Sequence, residues 1–254
     1  VTGAAAEGLD ALYPHLRARG ADDDGPGVAA AADALRASVA RKVQDSVAVK
    51  TAFFAANADG LIGMAQALAE VYRRGGRLFT MGNGGSSCDA AHLAVEFLHP
   101  ITVGRPSLPA HQLGAELPMA TAIGNDVGFD AVFSRQLDAL ARPGDALFGF
   151  STSGGSKNLL TAYRKARSLG LVTFGLSGGD GGAMAATPGL VDHCLVVDTP
   201  SVHRVQEVHV AAYHVLWDLV HTLLADARTG SAGATASTSA PPPPMTPFPN
   251  EESR

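Results

Sequence analysis

At 254 residues, with 46% hydrophobic and 17% charged residues, the chain can bury one substantial core and has the composition of a globular protein rich in small residues. Its formal net charge of -5 provides no basic stripe, so neither DNA nor RNA is an expected partner. Cys88 and Cys194 lie in separate segments without CxxC spacing, which argues against a disulfide framework or a thiolate zinc site. No apolar run approaches the ~18 residues of a membrane span and no leader pattern opens the chain, so a soluble, cytoplasmic protein is expected.

In chain order, residues 1–27 end in the charged, glycine-rich break GADDDGPG and read as a variable N-terminal segment. Two helical patterns follow, one from Val28 to Lys50 and one from Thr51 to Gly76, the second closed by basic residues and a glycine pair. Five short apolar runs then read as buried strands: RLFTMG (77–82), LPMATAI (117–123), DALFGFS (145–151), LVTFGLS (171–177) and HCLVVD (193–198). Helical patterns at 86–98, 127–141, 156–169 and 203–226 alternate with them. That alternation predicts an α/β domain over 28–227, a parallel five-stranded sheet with helices on both faces, preceded by N-terminal helices. From 228 to 254 the composition turns to Gly, Ser, Thr and a proline run, which predicts a disordered tail.

In a parallel sheet, ligands bind beyond the carboxyl ends of the strands, where glycine-rich turns and helix N-termini present N–H groups to an anion. Two turns have that position: GNGGSS (82–87) after the first strand and STSGGSKN (151–158) after the third. Neither has the GxGxxG register of a dinucleotide fold nor the GK[ST] ending of a P-loop, so a sugar phosphate suits them better than a nucleotide. The plain alternative is that both are simply good helix caps. His92 and Glu96, four residues apart on the helix opened by the first turn, can converge on a metal or beside a substrate carbon, or form only a surface pair. The last helix carries His203, Gln206, Glu207, His209, His214 and His221, and periodicity alone does not choose among them.

Taken together, GNGGSSCDAAHLAVEF, AIGNDVGFDAVFSRQL, GDALFGFSTSGGSKNLL, LSGGDGGAMA and RVQEVHVAAYH resemble the phosphoheptose isomerases of the sugar isomerase (SIS, flavodoxin-like) fold, in order and spacing, from about residue 30 to 226. The resemblance implies isomerisation of sedoheptulose 7-phosphate to D-glycero-D-manno-heptose 7-phosphate through an enediol(ate), by a homotetramer with active sites at subunit interfaces. It implies substrate contacts from Asn83, Gly84, Gly85, Asn125, Asp126 and Gln206, and a phosphate cradle of Ser86, Ser151, Thr152, Ser153 and Ser156. It also implies a Zn2+ site of His92, Glu96, Gln206 and His214, with Glu96 as base and His214 as acid. The chain departs from the family after Glu96, where FLHPITVGRP replaces a polar loop with an arginine near ELTGRY; Arg105 is the substitute within reach. Another sugar phosphate is therefore an alternative substrate. A non-catalytic SIS module that binds a sugar phosphate or a protein is a further alternative, against which His92, Glu96, Gln206 and His214 speak.

Overall fold

The computed structural model describes residues 26–231, so most of the N-terminal segment and of the proline-rich tail lies outside the described residues. The described residues divide into two units, with the boundary between Ala56 and Asn57. The two N-terminal helical patterns form one helix, α1 (Pro26–Arg73), with Gly60 and Gly63 inside it. The described part of the first unit is the leading portion of α1, which exposes Leu35, Val39, Val43 and Val47 at four-residue spacing.

After α1 the order is β1 (Leu78–Gly82), α2 (Gly85–Leu98), β2 (Ala110–Gln112), α3 (Leu117–Asp126), a 3-10 turn (Phe129–Ala131), α4 (Ser134–Leu140) and β3 (Ala146–Ser151). Then come α5 (Lys157–Ser168), β4 (Val172–Gly178), α6 (Gly182–Ala186), β5 (His193–Val197) and α7 (Val202–Ser231). The five strands are all parallel in the order β2-β1-β3-β4-β5. β1 and β3 are buried along their whole length, and β4 in all but its first residue, as expected for continuous apolar runs covered on both faces.

One expected strand is a helix. LPMATAI begins α3, with Glu116 at its N-cap and Pro118 in the first turn, where a missing N–H costs nothing. Only Ile123 of this helix is buried. The fifth strand is instead AHQ, three residues pairing with β1 at the sheet edge. The helical pattern at 127–141 resolves into the 3-10 turn and α4.

Alternation along the strands divides the core. Phe79, Met81 and Leu147 face Ile123 of α3, Leu137 of α4, Leu159 and Tyr163 of α5 and Met184 of α6. On the opposite face the Thr80 hydroxyl donates to Ala90 O of α2 at 2.8 Å, and the Phe150 ring lies 5.8 Å from that of Tyr213 on α7. The end of α1 joins this layer: the Tyr72 and Phe97 rings are 5.4 Å apart, and Arg73 donates to Leu223 O at 3.0 Å. The chain leaves β1 toward β2 on one side and returns to β3 on the other. The carboxyl ends of β1 and β3 therefore flank the switch point of the sheet, where an open α/β fold forms its crevice.

Candidate active site

The two glycine-rich turns leave these neighbouring strands side by side. Gly84 takes φ 53°, a left-handed conformation that lets the chain reverse from β1 into α2 without a side-chain cap. A Cβ on Gly82 would run into the backbone of Ser86, and one on Gly85 into the amide of Gln206. In the second turn the Gly154 N–H donates to Ser151 Oγ at 3.0 Å and the Gly155 N–H to Ser153 Oγ at 3.4 Å. Ser156 is the N-cap of α5, yet its hydroxyl makes no capping bond.

Asn83, Ser86, Phe150, Ser151, Thr152, Ser153 and Ser156 line a cavity of 90 Å³ between the turns. It is far smaller than the ~300 Å³ at which drug-sized ligand sites begin, and its donors suit an anion. Every serine and threonine expected to cradle a phosphate lies on it, together with Asn83. The side-chain amide of Asn83 exchanges hydrogen bonds with Asn158 at 2.9 and 2.8 Å, and Asn158 Oδ1 also accepts from the Leu159 N–H at 3.0 Å. Asn158 was not among the residues expected to act. It closes the STSGGSKN motif, whose hydroxyls carry the sequence signal for an anion site.

A second cluster lies along α2 and α7. His92, Glu96 and His214 each offer a ligand atom, and these atoms lie within 4.8 Å of one another. His92 Nε2 is 3.1 Å from Glu96 Oε1, and the rings of His92 and His214 are edge to face with centroids 5.1 Å apart. His214 Nδ1 is 2.8 Å from Val210 O; a carbonyl only accepts, so Nδ1 carries a proton and Nε2 is the nitrogen turned to the cluster. The Trp217 N–H donates to Glu96 O at 2.8 Å and pins the end of α2 to α7. Gln206 stands near the first turn against Gly85, about 12 Å along α7 from His214 by the helical rise.

Between these groups lies Asp89, buried on α2, with Oδ2 lacking a hydrogen-bond partner among the described residues. Burial pushes its carboxyl up to about 6, opposed by the nearby His92. Tyr213, buried beside it, has its hydroxyl pushed well above the ordinary range by burial and then by the charges of Asp89 and Glu96.

Other expected residues stand apart. Asn125 and Asp126, exposed at the end of α3, bond to each other at 2.8 Å and do not line the cavity. Arg105 donates to Asp218 Oδ1 at 2.8 Å beside the Trp217 ring, so Asp218 on α7 holds the guanidinium. Of the remaining α7 histidines, His209 is buried against Ser177 O at 3.4 Å, and His221 is buried with its ring 4.7 Å from that of Trp217.

Known proteins agree with this architecture. The family model of the SIS domain matches residues 43–178. The chain is 41% identical over 186 residues to the phosphoheptose isomerase of Trichlorobacter lovleyi, covering 73% of this chain and 93% of that protein. It is 43% identical over 189 residues to that of Solidesulfovibrio magneticus, covering 74% and 91%. The solved phosphoheptose isomerase structure from Neisseria gonorrhoeae superposes with a TM-score of 0.69 at 34% identity, covering 74% of this chain and 99% of that one. The structure from Francisella tularensis gives 0.68 at 32% identity, covering 73% and 97%. With a parallel sheet of this order, a family model over more than half its length and relatives matched nearly end to end, the chain belongs to the phosphoheptose isomerases, aldose–ketose isomerases built on the SIS domain.

Proposed function

We propose that this chain interconverts sedoheptulose 7-phosphate and D-glycero-D-manno-heptose 7-phosphate through a cis-enediolate. Its phosphate enters the cavity between the turns, where Ser86, Ser151, Thr152, Ser153 and Ser156 surround it with hydroxyls and turn N–H groups. Asn83, Gly84, Gly85 and Gln206 meet the sugar, and Asn125 and Asp126 add further contacts from a neighbouring subunit. Anchoring the phosphate fixes the reacting carbons at the far end of the substrate, so binding free energy made remotely serves orientation.

Moving a hydrogen between C1 and C2 requires removal of a carbon-bound proton beside a carbonyl and transfer of another between the two oxygens. Glu96 takes the carbon proton and returns it to the neighbouring carbon. His214, with Nδ1 committed to Val210 O, works through Nε2 as the acid at oxygen. His92, Glu96, Gln206 and His214 would hold a zinc ion, and their mixed nitrogen and oxygen donors, three of them already converging, suit that metal. Bound there, the ion would polarise the substrate carbonyl and stabilise charge on its oxygen. Because His214 has only Nε2 to give, ligation and proton delivery by this ring are alternatives at any one moment.

The meeting of His92, Glu96 and His214 from two separate helices carries this proposal, and it disfavours a non-catalytic binding module. The assembly we propose is a cytoplasmic homotetramer with sites at subunit interfaces. Its support is the exposed apolar stripe of α1 and the position of Asn125 and Asp126 away from their own chain's cavity. The test is incubation with sedoheptulose 7-phosphate in D2O, following deuterium at C1 and C2 by NMR. The expected result is exchange in the unmodified protein and none in Glu96→Gln, which still binds inorganic phosphate. Turnover by Glu96→Gln would end the role of Glu96, and absence of exchange with any seven-carbon phosphate would end the substrate assignment. A different phosphorylated ketose or aldose is the second reading, favoured by the almost fully exposed Ile101 and Val103 and by the capture of Arg105 by Asp218. A substrate panel in the same assay decides between them.

A further inference from the structure

We infer that Tyr213 is the positioning residue for His92, orienting its imidazole so that Nε2 is offered to the metal. This rests on the reading of His92, Glu96 and His214 as a metal site. The Tyr213 hydroxyl lies 2.7 Å from His92 Nδ1, and the two rings meet edge to face at 5.4 Å. The other face of the arrangement is fixed as well, since the Tyr213 ring packs at 5.8 Å on Phe150 of β3 and at 4.7 Å on His214. Tyr213 therefore touches the sheet and both histidines of the cluster at once.

The chemistry of the hydroxyl suits this task better than a carbonyl would. When Nε2 of His92 carries the proton it donates to Glu96 Oε1, 3.1 Å away, and Nδ1 accepts from the Tyr213 O–H. When Nε2 is bare for a metal, the proton resides on Nδ1 and donates to the same Tyr213 oxygen. A backbone carbonyl, such as the Val210 oxygen that serves His214, accepts only and supports one tautomer. His92 thus has a partner for either nitrogen arrangement, whereas the Nδ1 of His214 is committed to the Val210 carbonyl. His92 is exposed, so without the hydroxyl its Nδ1 loses its protein partner, and the Glu96 carboxylate and the His214 ring alone oppose a turn about χ2.

Outer partners that orient ligating histidines are typically worth about 10–100-fold in metal affinity. Tyr213→Phe keeps the ring packing and removes only the oxygen. Full-length protein, stripped with a chelator, is titrated with Zn2+ against a chromophoric competitor and with Co2+ by visible absorption. The unmodified protein is expected to bind one ion, His92→Ala to lose it, and Tyr213→Phe to bind 10–100-fold more weakly with an altered Co2+ spectrum. The chelator-treated thermal midpoint of Tyr213→Phe is expected to stay within a few degrees of the parent. Equal Zn2+ affinity and an unchanged Co2+ spectrum in Tyr213→Phe would overturn the inference while leaving the metal site standing. Failure of the unmodified protein to bind, or undiminished binding by His92→Ala, would overturn both. Long-range 1H–15N spectra of the unmodified protein with Zn2+ give a readout that needs no variant: the His92 proton is expected on Nδ1, and a proton retained on Nε2 would refute the orientation.

Discussion

Asn83 and Asn158 exchange two side-chain hydrogen bonds, at 2.9 and 2.8 Å, across the gap between the turn after β1 and the start of α5. The pair joins the two walls of the serine-lined cavity, and Asn158 is almost completely buried. Its amide is therefore spent on spacing the walls, while Asn83 belongs both to this clasp and to the cavity lining. Asn158→Ala leaves the Asn83 amide without its partner and should cost about 1–3 kcal/mol of stability. The two turns then lose their fixed separation, so inorganic phosphate affinity and KM should suffer more than kcat. Calorimetric titration with phosphate, combined with steady-state kinetics, checks this. Undiminished phosphate affinity in the variant would show that the turns hold their spacing unaided.

Gly85 and Gly154 respond differently to the same substitution. A Cβ at Gly85 meets the amide end of Gln206, a flexible side chain that can swing away, whereas one at Gly154 meets the Gly181 carbonyl, at a backbone φ of +61°. Gly154→Ala should lose at least ~1–2 kcal/mol from the left-handed backbone alone, and more from the collision. Gly85→Ala should keep most of its stability but displace Gln206 and lower kcat/KM. A double-mutant cycle with Gln206→Ala isolates the contact: the activity losses should be strongly less than additive. Additive losses would mean that Gly85 acts on something other than Gln206.

How far the sequence led depended on the length scale of each signal. β1, β3 and β4 were legible because strands buried on both faces are continuous apolar runs bounded by turns. β2 was not, because an edge strand of three residues carries half-exposed side chains and no run. LPMATAI looked like the missing strand because it is apolar, but most of it is exposed on α3, and apolar content without burial does not make a strand. In the site, His92 and Glu96 were legible from their four-residue spacing, and His214 only through resemblance to a family. The contacts of Tyr213 and Asn158 were invisible at any spacing, since each meets a partner far away in the chain that only the fold brings near.

His209 and Asp89 should pull stability in opposite directions as the solution is acidified. Burial depresses His209 from 6.5 to about 4, partly offset by the Ser177 carbonyl, so the folded protein holds the ring neutral where the unfolded chain would already protonate it. Its contribution is fully present above pH 6.5 and is lost as pH falls toward 4, a change of roughly 3 kcal/mol at ~1.4 kcal/mol per pH unit. Asp89 is the reverse case: burial raises it from 3.8 to about 6, so the folded state keeps a proton that the unfolded chain releases. Its ionisation therefore destabilises the fold progressively as pH rises from 3.8 to about 6, and acidification over that window restores stability. With both residues present the two slopes oppose each other, and the thermal midpoint should change little between pH 6 and 4. In His209→Gln the Asp89 slope stands alone, so the chelator-treated protein should gain stability on acidification relative to the parent. In Asp89→Asn the His209 slope stands alone, and acid should destabilise it more steeply than the parent. Urea unfolding at pH 7, 5 and 4 measures all three, and parallel profiles for the three proteins would mean that neither group titrates differently in the folded and unfolded states.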